Sequence, residues 1–229
     1  MNREFRGKLV GTLLGDSSLH YAKNGNARFQ FSHEQKQGDY AKLKAEVICK
    51  GLKRQVREPG LYTTTTSYGE VTYYKFSTGH KYMNYLHRIL YSNNGKKYFS
   101  RKVLNHLTPE GIAWWYMDDG GVSRGPNKDK YGNPRKHISV EMRISTYCSE
   151  EEADTIIAYF LEVWGIQAKK RYAKKTDSYY MAFSSKESLK LDDLISPYIT
   201  PYFQYKLPQY YNPRAQSTLV EKSKGEDIV

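Results

Sequence analysis

The chain has 229 residues, enough to bury a core as one large domain or two small ones. Its formal net charge is +12 and its pI about 9.4. A balance this basic favours a polyanionic partner and disfavours clefts built for neutral substrates.

In chain order, a helix is expected over 3–15 and a strand over 25–33. His33, where that strand ends, is a minor candidate, its plainer reading being a surface or capping residue. A helix over 38–51 starts at Gly38-Asp39. Strands over 60–67 and 70–77 are split by Tyr68-Gly69; period-two alternation of Tyr, Thr and Val marks them. A helix over 79–92 ends near Asn93-Asn94-Gly95. Thr108, a good cap, and Pro109, a good first helical residue, start a helix over 109–118. A polar loop is expected over 120–136, then a strand over 137–147. Ser149 and three glutamates open a helix over 149–164, where acids complement the dipole. Strands over 166–174 and 178–184 and a helix over 185–196 follow. The tail 214–229 is polar and is expected to be disordered. The organisation is therefore two halves, 1–105 and 106–213, each running helix, strands, helix, strands, helix.

Charge divides unevenly between them. Residues 1–105 carry 19 Lys and Arg against 7 Asp and Glu, while residues 106–229 carry 17 of each. In the second half the bases cluster at Arg124, Lys128, Lys130, Arg135 and Lys136, and again at Lys169, Lys170, Arg171, Lys174 and Lys175. One such run reads as a solvated face; several on strands and loops read as a nucleic-acid surface. Cys49 and Cys148 stand in apolar stretches and read as reduced core residues. The six histidines show no zinc spacing. No signal peptide or membrane-spanning run is visible, so a soluble, intracellular protein is expected.

The most informative segments are Leu9-Val10-Gly11-Thr12-Leu13-Leu14-Gly15-Asp16 and Ile112-Ala113-Trp114-Trp115-Tyr116-Met117-Asp118-Asp119. Each is an apolar helical run that stops at a carboxylate. Asp16 and Asp119 are 103 residues apart, about one small domain. Helices packed side by side would bring these acids out at one end, and paired carboxylates bind hard divalent cations that cut phosphodiesters. Gly11 and Gly15, four apart on one face, would permit the close approach. The plainer readings are tight packing for the glycines and polar helix ends for the acids; it is the matched pair that favours chemistry.

These segments resemble the two motifs of the single-chain, monomeric LAGLIDADG homing endonucleases. Asp16 and Asp119 both fall on the second Asp of that name. The first copy keeps both interface glycines; the second has Trp114 and Asp118 in their places. Pro201-Tyr202-Phe203-Gln204-Tyr205-Lys206-Leu207-Pro208 is similar to the end of the second repeat, where the family carries a catalytic-centre lysine. The resemblance covers roughly residues 5 to 211. It implies an α/β (α+β) fold, a pseudo-twofold tandem repeat with antiparallel, saddle-shaped DNA-binding sheets. It also implies a site-specific double-strand break in a long duplex target that promotes mobility of an intron or similar element.

On that reading Asp16 and Asp119 are catalytic metal ligands, with the backbone carbonyls of Gly15 and Asp118 completing the shell, since helix-end carbonyls lack helical partners. The Asp118 side chain is given no catalytic role. Mg²⁺ suits such oxygen ligands, and Mn²⁺ is expected to substitute. Lys206 and Lys97 are the candidate catalytic lysines, with Lys96 a rival to Lys97. Arg28, Gln30, Ser32, Thr64, Thr66, Tyr73, Lys75, Arg143, Ser145, Lys169, Arg171 and Tyr179 are candidate DNA contacts, to base edges or to phosphate. Double-stranded DNA is the expected partner and intron RNA a second candidate. The main alternative is a non-cutting nucleic-acid binder on the same scaffold, an intron RNA maturase or a DNA-binding regulator. A glycosidase with paired carboxylates is a more distant one, disfavoured by the charge.

Overall fold

The computed structural model describes residues 1–22, 25–67, 69–92, 95–126, 131–133 and 139–211. The expected turn residues Tyr68, Asn93 and Asn94, the bases Lys128, Lys130, Arg135 and Lys136, the start of the strand expected from 137, and the tail 214–229 lie outside them. The chain divides into two compact units, Met1–Asp118 and Asp119–Val229.

The first unit opens with α1 (Arg3–Leu14), capped by the Asn2 side chain, which accepts from the Phe5 amide at 2.9 Å. β1 (Ser18–Tyr21) and β2 (Ala27–Glu34) form a hairpin that turns through Gly25, whose φ of 77° suits glycine. α2 (Gly38–Gly51), β3 (Gly60–Thr66), β4 (Gly69–Gly79), α3 (Tyr82–Leu90), α4 (Arg101–Leu104) and α5 (Pro109–Asp119) follow. The sheet is antiparallel, in order β1-β2-β4-β3. Along β2 alternate residues are buried, so Phe29 and Phe31 enter a core with Leu9, Leu13, Ile48 and Phe76.

The sequence assigns α5 to the second half, yet all of it but Asp119 packs within the first unit. Glycine explains why. A methyl group at Gly11 would land on the Gly111 carbonyl oxygen, and one at Gly111 would meet the Gly7 backbone. α1 and α5 therefore touch backbone to backbone. On α5 the close approach falls at Gly111, three residues before Trp114, so the bulky Trp114 does not obstruct it; its ring stands 6.0 Å from that of Tyr40. Residues 111–117 are buried throughout, as an all-apolar helix requires.

The second unit holds β5 (Gly120–Arg124), β6 (Val140–Cys148), α6 (Glu150–Trp164), β7 (Ala168–Ala173), β8 (Ser178–Phe183) and α7 (Ser185–Ile195), then 3-10 turns over Ser196–Tyr198, Pro201–Lys206 and Pro208–Tyr211. The sheet order is β5-β6-β8-β7, again antiparallel. Ser149 and Glu152 form a full capping box on α6, and Gly165 ends it in the left-handed conformation at φ 65°. The core gathers Met142, Ile144, Ile156, Phe160, Met181, Phe183 and Leu191.

Two short strands correct the sequence reading. Ser18–Tyr21 was not expected to be a strand, and Gly120–Arg124 falls in the segment read as loop. Both begin one or two residues after the carboxylate of a motif. Their Ser and Gly residues have poor β-propensity; pairing with a longer neighbour makes them strands. Among the described residues no helix is long and apolar enough to cross a membrane. Both cysteines are buried and free.

Candidate active site and nucleic-acid face

In the first unit two aspartates stand close together in opposite surroundings. Asp16 follows the end of α1 with its side chain 43% exposed. The side chain of Asp118, near the end of α5, is fully buried. Its carboxylate receives the Lys44 amine at 2.8 and 2.9 Å, the Tyr40 hydroxyl at 2.7 Å and the Thr12 hydroxyl at 3.1 Å. It also accepts the Asp16 backbone amide at 3.2 Å. The amine of Lys44 sits over the Tyr40 ring at 4.7 Å and the Phe31 ring at 5.3 Å. Asp118 is thus a satisfied buried charge that ties the ends of α1 and α5 together and orients the turn carrying Asp16.

Sequence reasoning missed this network. Its one visible signal was Lys44 itself, which occupies the apolar side of α2 with Ala41, Ala45 and Ile48. A lysine at such a position calls for a buried partner.

The Lys97 amine donates to the Gly15 carbonyl at 2.6 Å, which puts it at the Asp16 end of α1. Lys96 is exposed, and its carbonyl accepts the Ser92 amide. His33 points to the core side of β2, 2% exposed, with its ring 5.1 Å from that of Tyr40. Burial pushes its pKa down to about 4, helped by the Lys44 charge and opposed by Asp118 and the Gln37 side chain. One nitrogen of His33 and one oxygen each of Asp16 and Asp118 lie within 4.8 Å of one another. An exposed carboxylate and a neutral imidazole beside it suit a divalent cation.

Strand register sorts the candidate DNA contacts by face, because directly opposed residues point the same way. Gln30 pairs with Ser77, Ser32 with Lys75, Tyr62 with Tyr73 and Thr64 with Val71. Arg28, Gln30, Ser32, Thr64, Thr66, Tyr73 and Lys75 therefore share the face turned away from Phe29 and Phe31. A cleft of about 500 Å³ on this face is lined by Gln30, Ser32, Lys75 and Ser77, and Asp16 lines it too. At its far side Arg28, Arg54, Arg57 and Lys81 line a second, larger cleft.

In the second unit Asp119 closes α5 and leads directly into β5. The 3-10 turn ending in Lys206 packs on β5, and the Lys206 amine stands 4.9 Å from the Phe203 ring. Arg143 and Lys169 both pair with Ala182, and Arg171 with Tyr180, so these bases share the open face of the sheet; Ser145 follows two residues after Arg143. Tyr179 alternates to the other side. Its ring lies 5.9 Å from the Lys170 amine, which bonds Asp154 of α6 at 2.7 Å. The open face presents Tyr180 and Tyr147, which line a cleft with Arg143, Ser145 and Lys175, and Tyr179 lines the same cleft. Tyr147 is 66% exposed and held at φ 49°, where the pairing of β6 with β8 slips.

Two helix-end acids, each followed by an antiparallel four-stranded sheet with a polar face, match known proteins. The family model of the LAGLIDADG DNA endonuclease family matches residues 6–191, and the chain belongs to that family. It is 31% identical to a protein named "Protein RecA" of Mycolicibacterium flavescens, over 92% of this chain and 47% of the relative. It is also 31% identical to "Probable intron-encoded DNA endonuclease 3" of Mycosarcoma maydis, over 62% of this chain and 97% of the relative. The chain thus spans about half the length of the first of these relatives. Among solved structures it resembles "The homing endonuclease I-WcaI bound to its DNA recognition sequence", with 22% identity, a TM-score of 0.76, and coverage of 90% of this chain and 86% of that one. That likeness bears on the fold.

Proposed function

We propose that this protein is a site-specific homing endonuclease that makes a divalent-cation-dependent double-strand break in a long duplex DNA target. The observation that carries the reading is the cleft in which exposed Asp16 meets the polar face of β2 and β4. DNA lying on that face would bring a phosphodiester to the carboxylate. Asp16 and Asp119 would each hold a cation, Mg²⁺ being the one proposed. When bound, such a cation supplies charge neutralisation and activation of water. The chain's own part is positional. Asp118, fixed by Lys44 and Tyr40, orients the Asp16 turn. Lys97, held on the Gly15 carbonyl, and Lys206 bring positive charge to the two centres. Arg28, Gln30, Ser32 and Lys75 in the first unit, and Arg143, Lys169 and Arg171 in the second, would contact bases and phosphates along about one helical turn per sheet, roughly 10 base pairs. Cleavage at such a site would promote copying of an intron or similar element.

The exposed carboxylate beside the polar face weighs against a binder that does not cut, since near phosphates it only repels. Incubation with a library of randomised duplexes, in Mg²⁺ and separately in Ca²⁺, tests the proposal. One sequence should be cut on both strands in Mg²⁺ and bound without cutting in Ca²⁺. Binding should weaken with salt at a slope of about −0.9 per phosphate contacted. Binding without cutting in either ion would favour the maturase or regulator reading.

A further inference from the structure

β2 buries every second residue: Ala27, Phe29, Phe31, then His33. An apolar side chain would complete the series, so a histidine there bears the cost of burying a polar ring. Its Nε2 is buried and accepts or donates no hydrogen bond among the described residues. Its Nδ1 faces Oδ2 of Asp16 at 3.8 Å. That is too long for a hydrogen bond. Two donors bonded to one metal ion at about 2.1 Å each lie about 3 to 4 Å apart, which is the spacing found.

We propose that His33 supplies a nitrogen ligand to the divalent cation carried by Asp16, so that the first-unit site favours borderline cations such as Mn²⁺ and Co²⁺ over Mg²⁺ and Ca²⁺. The inference rests on the reading of Asp16 as a metal ligand. Imidazole nitrogen binds the later first-row divalent metals more strongly, whereas Mg²⁺ and Ca²⁺ prefer oxygen. The three-residue cluster narrows to two protein donors. Asp118 is the third member, but Lys44, Tyr40, Thr12 and the Asp16 amide already use its oxygens. It offsets the Lys44 charge that would otherwise repel a cation. Burial among Phe31 and Tyr40 holds the ring in one orientation, so little order is lost when it binds.

The test is pulsed paramagnetic resonance on the whole chain with Mn²⁺ alone, without DNA. A directly bound imidazole gives a nitrogen coupling on the manganese signal, and the wild type should show it. In His33→Gln the coupling should vanish, with Mn²⁺ affinity down about tenfold and Mg²⁺ affinity nearly unchanged. No coupling in the wild type, or one that survives in His33→Gln, overturns the inference; the wild-type spectrum decides even if the variant folds poorly. Asp16→Asn separates this from the broader reading. Absent coupling with Mn²⁺ binding still lost in Asp16→Asn overturns the role of His33 and leaves that of Asp16. Mn²⁺ binding indifferent to Asp16→Asn overturns both.

Discussion

In the first unit β2 runs against β4 in unbroken register from Arg28 to Glu34; in the second, β6 slips against β8 between Ile144 and Cys148. The buried acids differ as well. Asp118 in the first unit is held by an amine and two hydroxyls, whereas Asp192 on α7 has a buried Oδ1 without a hydrogen bond among the described residues. The two sheets share a strand order, yet the first unit uses a buried charge to position a carboxylate, and the second holds a buried carboxyl oxygen with no hydrogen bond among the described residues. One fold thus carries two differently supported halves.

The largest test of this contrast is Gly11→Ala. The added methyl group would strike the Gly111 carbonyl, where backbone stands on both sides and cannot yield. Loss of several kcal/mol in chemical denaturation is expected. A cost near that of a surface change would mean that α1 and α5 do not touch in solution.

Lys44→Met comes next. It strands the fully buried Asp118 carboxylate, which should cost about 3–5 kcal/mol; adding Asp118→Asn should restore much of it. A double-mutant cycle by denaturant melts measures the coupling, and simple additivity would remove the pair from its proposed part.

Asp192 offers the opposite sign. Burial, and then the neighbouring Asp193 charge, raise its pKa to about 6. A raised carboxyl stabilises the fold below its unfolded value and loses that contribution as pH rises through about 6. Asp192→Asn should therefore gain about 2–3 kcal/mol above pH 7 and nothing near pH 4. Melts across that range check it, and a gain independent of pH would refute the cause.

The sequence showed most of the long elements and the family, because hydrophobic periodicity and two apolar helices ending in acid are local patterns. α2 over 38–51 needed only its own residues. β1 and β5 escaped because Ser17-Ser18 and Gly120-Gly121 carry no strand signal; their neighbours make them strands. The brace on Asp118 escaped because Lys44 lies 74 residues away. Choosing between Lys96 and Lys97 likewise requires the fold, since adjacent residues differ only in which way they point.

The smallest effect belongs to Tyr147. A non-glycine residue at φ 49° costs about 1 kcal/mol, so Tyr147→Gly should leave stability level or slightly higher while weakening DNA binding. Unchanged affinity would place the ring outside the interface.

The most direct test of the central claim is cleavage of a supercoiled plasmid carrying the selected site by Asp16→Asn and by Asp119→Asn. Neither variant should linearise it, while each binds the site within about tenfold of wild type, because the change removes a metal ligand and not a docking contact. Linearisation at the wild-type rate by either one would contradict the assignment of the centre.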